Sequence, residues 1–292
     1  RESHLIEGDE LDALLREWDE IILHPAADCL LQRILSVLAP YLEKLFPVDR
    51  GWVESLGPVT PEKCPGLVEA AKKAAWLVSG REFALYHIKN DAYRGWVDCG
   101  EDGPLIVVSD AVLEKSNPGE LAFFISRLVV SVAMGFVLPR KLRPADFEML
   151  LSILCNMARP DAKPSRQLPA TAPQYIEALQ RITPKDVMEM VMPLIRRYAL
   201  EPRAHDVKRW MLGVQQTADR VALLASGDLI AAMSVLVRFS DAAGGRELAF
   251  IPDRGSVLGR DRDMMALFRF AFSEQFLKLR RRLVPPRNGK EE

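Results

Sequence analysis

The sequence predicts a mainly helical α+β fold with one small β-sheet. Long stretches place apolar residues every three or four positions, which is the helical period. One short region, 81–109, changes to alternation and close turns, which is the strand period. Of the 292 residues, 49% are hydrophobic and 27% charged. That is ordinary globular composition, sufficient for one large domain or two small ones with a substantial core.

The elements follow in order. In "DELDALLREWDEIIL" (9–23), Leu11, Leu14, Leu15 and Trp18 share one helical face. "AADCLLQRILSVLAPYLEKLF" (26–46) continues with Leu30, Ile34 and Leu38, and Pro40 is expected to end or kink it. "TPEKCPGLVEAAKKAAWLVSG" (60–80) is a further helix with Gly80 as its C-cap. "REFALYHIKN" (81–90) alternates, with Phe83, Leu85 and His87 on one side. A second strand is expected around Trp96–Cys99 and a third at "LIVVS" (105–109), joined by the turn "GEDG". "SDAVLEKS" (109–116) is a short helix. Asn117, Pro118 and Glu120 then form the start signal of the next helix, a cap, a first-turn proline and a capping-box acid. "ADFEMLLSILCNMA" (145–158) is helical, the proline-rich 159–173 is a loop, and helices are expected near 174–182, 185–199, 204–225, 228–239 and 262–282. Residues 1–80 read as an N-terminal helical segment and 81–292 as the core with C-terminal helices, together one unit. The start "RESHLIEGDE", with neither methionine nor a signal-peptide pattern, is expected to be cut from a longer chain.

Charge and composition exclude several classes. The formal net charge of −1 gives no global field for nucleic acid or an anionic membrane. The cysteines Cys29, Cys64, Cys99 and Cys155 form no C-x-x-C pair, and the histidines His4, His24, His87 and His205 are scattered, so no structural zinc site is spelled out. Free, buried thiols in a reducing compartment are expected, which points to the cytoplasm. The longest apolar run, Leu121–Leu138, is interrupted by Arg127. A central arginine costs about 2.5 kcal/mol or more on insertion scales, so the run is expected to be a buried core helix and not a membrane span.

The strand, turn, strand "LIVVSDAVLE" and capped helix "ELAFFISRLVVSV" occur in an order that resembles the zinc metallopeptidases of the HtpX and CAAX-prenyl-endopeptidase type, which are gluzincins. Their helix reads roughly E-L-A-x-V-L-x-H-E-x-x-H, and "GELAFFIS" matches its approach. The three working positions here are Arg127, Leu128 and Ser131, where the family has His, Glu and His. Downstream, "QQTADRVALLASGDLIAA" resembles the helix of the third ligand, roughly E-x-x-A-D-R. Gln215 stands at the ligand position, and Ala218, Asp219 and Arg220 keep its flank. The resemblance covers about Phe83–Ala232. It implies a metallopeptidase-like helical core packed on the small sheet, with a site that has lost its chemistry. Two histidines four apart bind zinc and the intervening glutamate takes a proton from the metal-bound water. Arginine has no lone pair to give, and leucine cannot accept a proton. No metal and no other cofactor is therefore expected.

Each residue also has a plainer reading. Arg127 could snorkel from a half-exposed helix, Ser131 and Gln215 could be helix-surface polars, and Asp219 with Arg220 could be a solvated pair. His87 is expected to be packed and not catalytic. "KLRRRL" (278–283) is expected to be a solvated helix end. The resemblance places Asp219 beside the first lost histidine, so a salt bridge to Arg127 is expected, with Gln215 hydrogen-bonded alongside.

The function expected from this reading is a catalytically inactive, metallopeptidase-like domain acting as a protein-interaction or scaffold module. It would hold a protein or peptide partner by strand addition near 83–89 and 105–109. Bacterial relatives of such domains are often fused to helical repeats, which makes that arrangement a further expectation. Two alternatives stand beside it. One is an enzyme with relocated chemistry, using Asp98, Glu101 and Asp102 beside His87. The other is a purely structural dimerisation domain.

Overall fold

The computed structural model describes residues 21–78, 82–159, 168–201, 207–239 and 259–283. The helix expected over 9–23 falls almost wholly outside these, as do Gly80 and most of the loop after Arg159.

The sheet forms because four short extended segments meet around one strand that is apolar on both faces. The strands are β1 (Gly57–Pro58), β2 (Ala84–Ile88), β3 (Gly95–Cys99) and β4 (Pro104–Ser109), in the order β1-β2-β4-β3. β2 runs parallel to β4, with Tyr86 opposite Val107, and β3 is antiparallel to β4, with Trp96 opposite Val107. Every residue of β4 is buried. Successive side chains of a strand point to opposite faces. Ile106 and Val108 therefore enter the main core, while Leu105 and Val107 form a smaller cluster with Leu56, bordered by Val48, Trp52, Val53, Tyr86, Ile88 and Trp96. The three strands read from the sequence are present. β1 was not foreseen, since two residues ending in proline carry no alternation.

The helices are α1 (Leu30–Leu42), α2 (Arg50–Glu54), α3 (Pro65–Leu77), α4 (Asp110–Lys115), α5 (Pro118–Ala133), α6 (Val137–Lys141), α7 (Pro144–Ala158), α8 (Ala172–Ile182), α9 (Lys185–Leu200), α10 (Val207–Ser226), α11 (Leu229–Phe239), α12 (Arg262–Ala271) and α13 (Glu274–Leu283). Two boundaries differ from the sequence reading. Pro40 neither ends nor precedes the end of α1 at once: the helix runs to Leu42 and tightens into a 3₁₀ turn at Glu43–Leu45. Pro40 has no N–H to give the Ser36 carbonyl, so one intrahelical bond is missing, and the α-helix continues for less than a turn beyond it. The helix expected over 262–282 is two, broken at Phe272–Ser273. The Ser273 hydroxyl donates to the Phe270 carbonyl at 2.7 Å and accepts the Phe276 N–H at 3.1 Å, capping α13.

α5 is the hub. It packs most extensively on α10, then on α3 and α11, and also touches β3 and β4. Its start is set by the sequence signal: the Asn117 side chain accepts the Glu120 N–H at 2.9 Å, and the Glu120 carboxylate accepts the Asn117 N–H at 3.1 Å. Its exit needs Gly135, whose φ of +67° is left-handed and where a Cβ would meet the Ala39 Cβ of α1 at 2.8 Å. One contiguous apolar core runs from Ile22 to Leu279.

Candidate functional site

The site is where α5 crosses α10. Arg127 lies at mid-helix on α5, one turn before Ser131, and Asp219 lies on α10, one turn after Gln215. The Arg127 Nε stands 2.5 Å from the Asp219 Oδ1. The side chains are 12% and 2% exposed, respectively. The ion pair expected from the sequence is present and buried, and the snorkelling reading of Arg127 fails. The contact is one of charges: the Nε–H is not aligned on Oδ1 as a hydrogen bond, and Oδ2 is buried with no donor among the described residues. The guanidinium also lies 5.8 Å from the centre of the Phe123 ring and 5.9 Å from that of Phe239, so aromatic faces supply part of its solvation.

Burial dominates the electrostatics. Desolvation raises the Asp219 pKa, opposed by the Arg127 charge and reinforced by the nearby Asp263 carboxylate, while Arg140 offsets it slightly. Arg140 on α6 keeps contact with solvent, yet enough protein surrounds its guanidinium that desolvation, aided by the Arg127 charge, lowers its pKa to about 10. It remains a cation at neutral pH.

The other expected positions are brought to the same two helices but behave differently. Leu128 is a buried core residue. The Ser131 hydroxyl donates to the Arg127 carbonyl at 2.8 Å, a bond internal to α5. Gln215 is not alongside the ion pair as expected: its amide donates to the Asp263 Oδ2 at 2.9 Å, and Gln216 donates to Oδ1 at 3.2 Å. Two neighbouring glutamines thus clamp one carboxylate of α12, an amide–acid match that satisfies both oxygens. Nor are Asp219 and Arg220 a solvated pair. Arg220 points away, its guanidinium donating to the carbonyls of Ile22 at 3.3 Å and Ile21 at 3.5 Å and lying 5.0 Å from the Phe270 ring centre.

These residues do not fit zinc. Arg127 offers no lone pair, Leu128 no base, the Ser131 hydroxyl is committed to α5 and the Gln215 amide to Asp263. Among the described residues no three His, Cys, Asp or Glu side chains are grouped to hold a metal ion. The four cysteines form no disulfide; Cys99 is buried and the others are half-buried, with the Cys155 thiol pushed up to about 11 by desolvation.

The constellation His87, Asp98, Glu101 and Asp102 is not assembled. The half-buried His87 places its Nδ1 3.0 Å from the Asp110 Oδ1, while Asp98 holds the Lys141 ammonium at 2.6 Å. Glu101 and Asp102 lie in the β3–β4 turn, at the opposite end of β2 from His87. The proposed docking strands also need correction. β4 is an inner strand, hydrogen-bonded on both sides, and β2 is flanked by β1, with the Val59 N–H donating to the Leu85 carbonyl at 3.0 Å. Among the described residues the sheet has two edges, β1 and β3; β1 is only two residues long and ends in Pro58, so β3 is the longer edge. Its even residues turn to β4, as the bond from the Ser109 N–H to the Arg94 carbonyl shows, so the backbone groups of Gly95 and Val97 face outward.

A second buried pair had no sequence signal. Glu120 sits 3.3 Å from Arg238 of α11, with the two side chains 8% and 11% exposed. The Arg238 guanidinium lies 4.4 Å from the Tyr93 ring centre. Among the described residues no helix is long and apolar enough to cross a membrane. Comparison with protein-family models, curated proteins and solved structures finds no match.

Proposed function

We propose that this chain is a non-catalytic, metallopeptidase-like domain that serves as a protein-interaction or scaffold module. The observation that carries the reading is the buried Arg127–Asp219 pair between α5 and α10. In the enzymes that the motifs resemble, a metal ion ties these two helices together; here a guanidinium supplies the positive charge against the same acid. Binding by strand addition needs only main-chain groups and no metal. A peptide added to the sheet would pair with Gly95 and Val97 of β3. Placement in the cytoplasm, and attachment to helical repeats in a longer chain, belong to the same proposal. The separated positions of His87, Asp98, Glu101 and Asp102 disfavour relocated chemistry as the second reading.

Metal chemistry tests the reading in two steps. The purified chain is expected to hold well under one zinc per molecule by elemental analysis, and about one would overturn the proposal. Restoring the family's ligands through Arg127→His, Leu128→Glu, Ser131→His and Gln215→Glu is then expected to create a zinc site. A refolded, stable variant that takes up no zinc would show that the two helices never framed one.

A further inference from the structure

The sheet has a second face, away from the Arg127–Asp219 site, and among the described residues it packs against the short α2 and the segments beside it. There a cavity of about 440 Å³ opens between α2, the start of β2 and the β3–β4 turn. Its floor is apolar: Val48, Val53, Tyr86 and Leu105, with Phe83 at one side. Its rim is acidic. Glu54, Glu82, Glu101 and Asp102 are all exposed around it, and among the described residues the one cation of the lining, Arg50, is held by Glu54 at 3.0 Å.

A pocket with this floor and this rim matches one kind of side chain better than others. Lysine and arginine carry a long aliphatic stem below a charged head, so the stem covers an apolar floor while the head stays at a wet, charged mouth. An acidic peptide would meet like charge, and a wholly apolar one would leave the carboxylates partly desolvated without a partner. We infer that this cavity docks a basic peptide segment, one Arg or Lys stem lying on Tyr86 and Leu105 and its head, with a neighbouring cation, facing Glu82, Glu101 and Asp102. The volume suits one such side chain with part of its backbone, since ligand pockets run from roughly 300 Å³ upward. The inference stands apart from the metallopeptidase reading, because it uses none of the residues of α5 or α10.

The test uses the full chain and a fluorescein-labelled probe, Ala-Leu-Arg-Ala-Arg-Leu, with a twin in which both arginines are glutamine. Anisotropy at low salt is expected to show saturable binding of the arginine probe, on the order of tenfold weaker for the glutamine twin and for an E101Q/D102N/E82Q variant. The three substitutions lie at exposed positions, and a thermal melt like that of the parent checks that folding is intact. Val53→Trp, which would fill the floor, is expected to abolish binding, and amide shifts on adding the probe are expected at 82–86 and 100–105. Absent binding up to millimolar probe, equal binding of the twin, or indifference to the rim variant would overturn the inference. Spermidine competing as well as the peptide would overturn the assignment to a peptide.

Discussion

At Asp219 two large terms oppose one another. Taking a carboxylate and a guanidinium out of water costs several kcal/mol per ion, and their mutual attraction returns that only with good geometry. Here the Nε–H is not aligned on Oδ1, and Oδ2 has no donor among the described residues. The raised Asp219 pKa has the same origin, since burial outweighs the Arg127 charge. Its sign matters. A folded-state pKa above the unfolded one means that the folded chain holds a proton the unfolded chain releases, so this group's contribution to stability falls as pH rises from about 4. Removing one partner is a separate matter, because the other charge is left buried and alone. Asp219→Ala is expected to destabilise by about 3–5 kcal/mol, whereas Arg127→Met with Asp219→Leu is expected to be neutral or mildly stabilising. Urea denaturation of the three proteins decides this, and a single-variant cost under about 1 kcal/mol would mean that solvent already compensates the pair.

Elements differ in how much of them could be read. The start of α5 was fully legible, because Asn117, Pro118 and Glu120 act on neighbours within one turn. The partners that fix α5 and α10 in space were not, because Glu120 meets Arg238 across 118 positions and Gln215 meets Asp263 across 48. The Arg127–Asp219 contact was an exception. Both ends lie inside the two sequence stretches on which the resemblance rests, whereas Asp263 lies in neither. The turn at 24–27 shows a further dependence that spacing hides. The His24 Nδ1 accepts the Ala26 N–H at 3.1 Å, which a protonated nitrogen cannot do, and the His24 N–H donates to the Thr217 hydroxyl of α10 at 2.9 Å. Desolvation, followed by the charges of Arg220, Arg262 and Arg209, lowers the His24 pKa below 6.5. The folded chain therefore resists a proton that the unfolded chain accepts. The stabilising contribution is complete above about pH 6.5 and is lost as pH falls through the depressed value. Stability between pH 7.5 and 5.5 is expected to fall more steeply for the parent than for His24→Asn, and parallel slopes in chemical denaturation would remove His24 from the account.

For the whole molecule, the decisive fact is that residues 21–78 do not keep their apolar surface to themselves. α1 packs against α9, and α3 against α5, so that Leu31, Leu35, Leu38, Leu42 and Leu67 are at most 1% exposed in a core they share with Val130, Val191 and Leu279. α10 is pressed to the same segment: a Cβ at Gly213 would come within 2.5 Å of the Ala27 N. Burying a leucine contributes about 1.5–3 kcal/mol, so five of them represent roughly 8–15 kcal/mol, which is about the entire net stability of a typical domain. A chain beginning at Glu82 would lose that contribution and expose the faces of α5 and α9 that α3 and α1 cover. It is expected to show no cooperative thermal transition and to bind a hydrophobic dye, although β2, β3, β4 and its site residues are all present. A single sharp transition for the shortened chain would mean that 82–292 holds a self-sufficient core, and that α1 and α3 are an appended layer and not part of the foundation on which the α5–α10 pair rests.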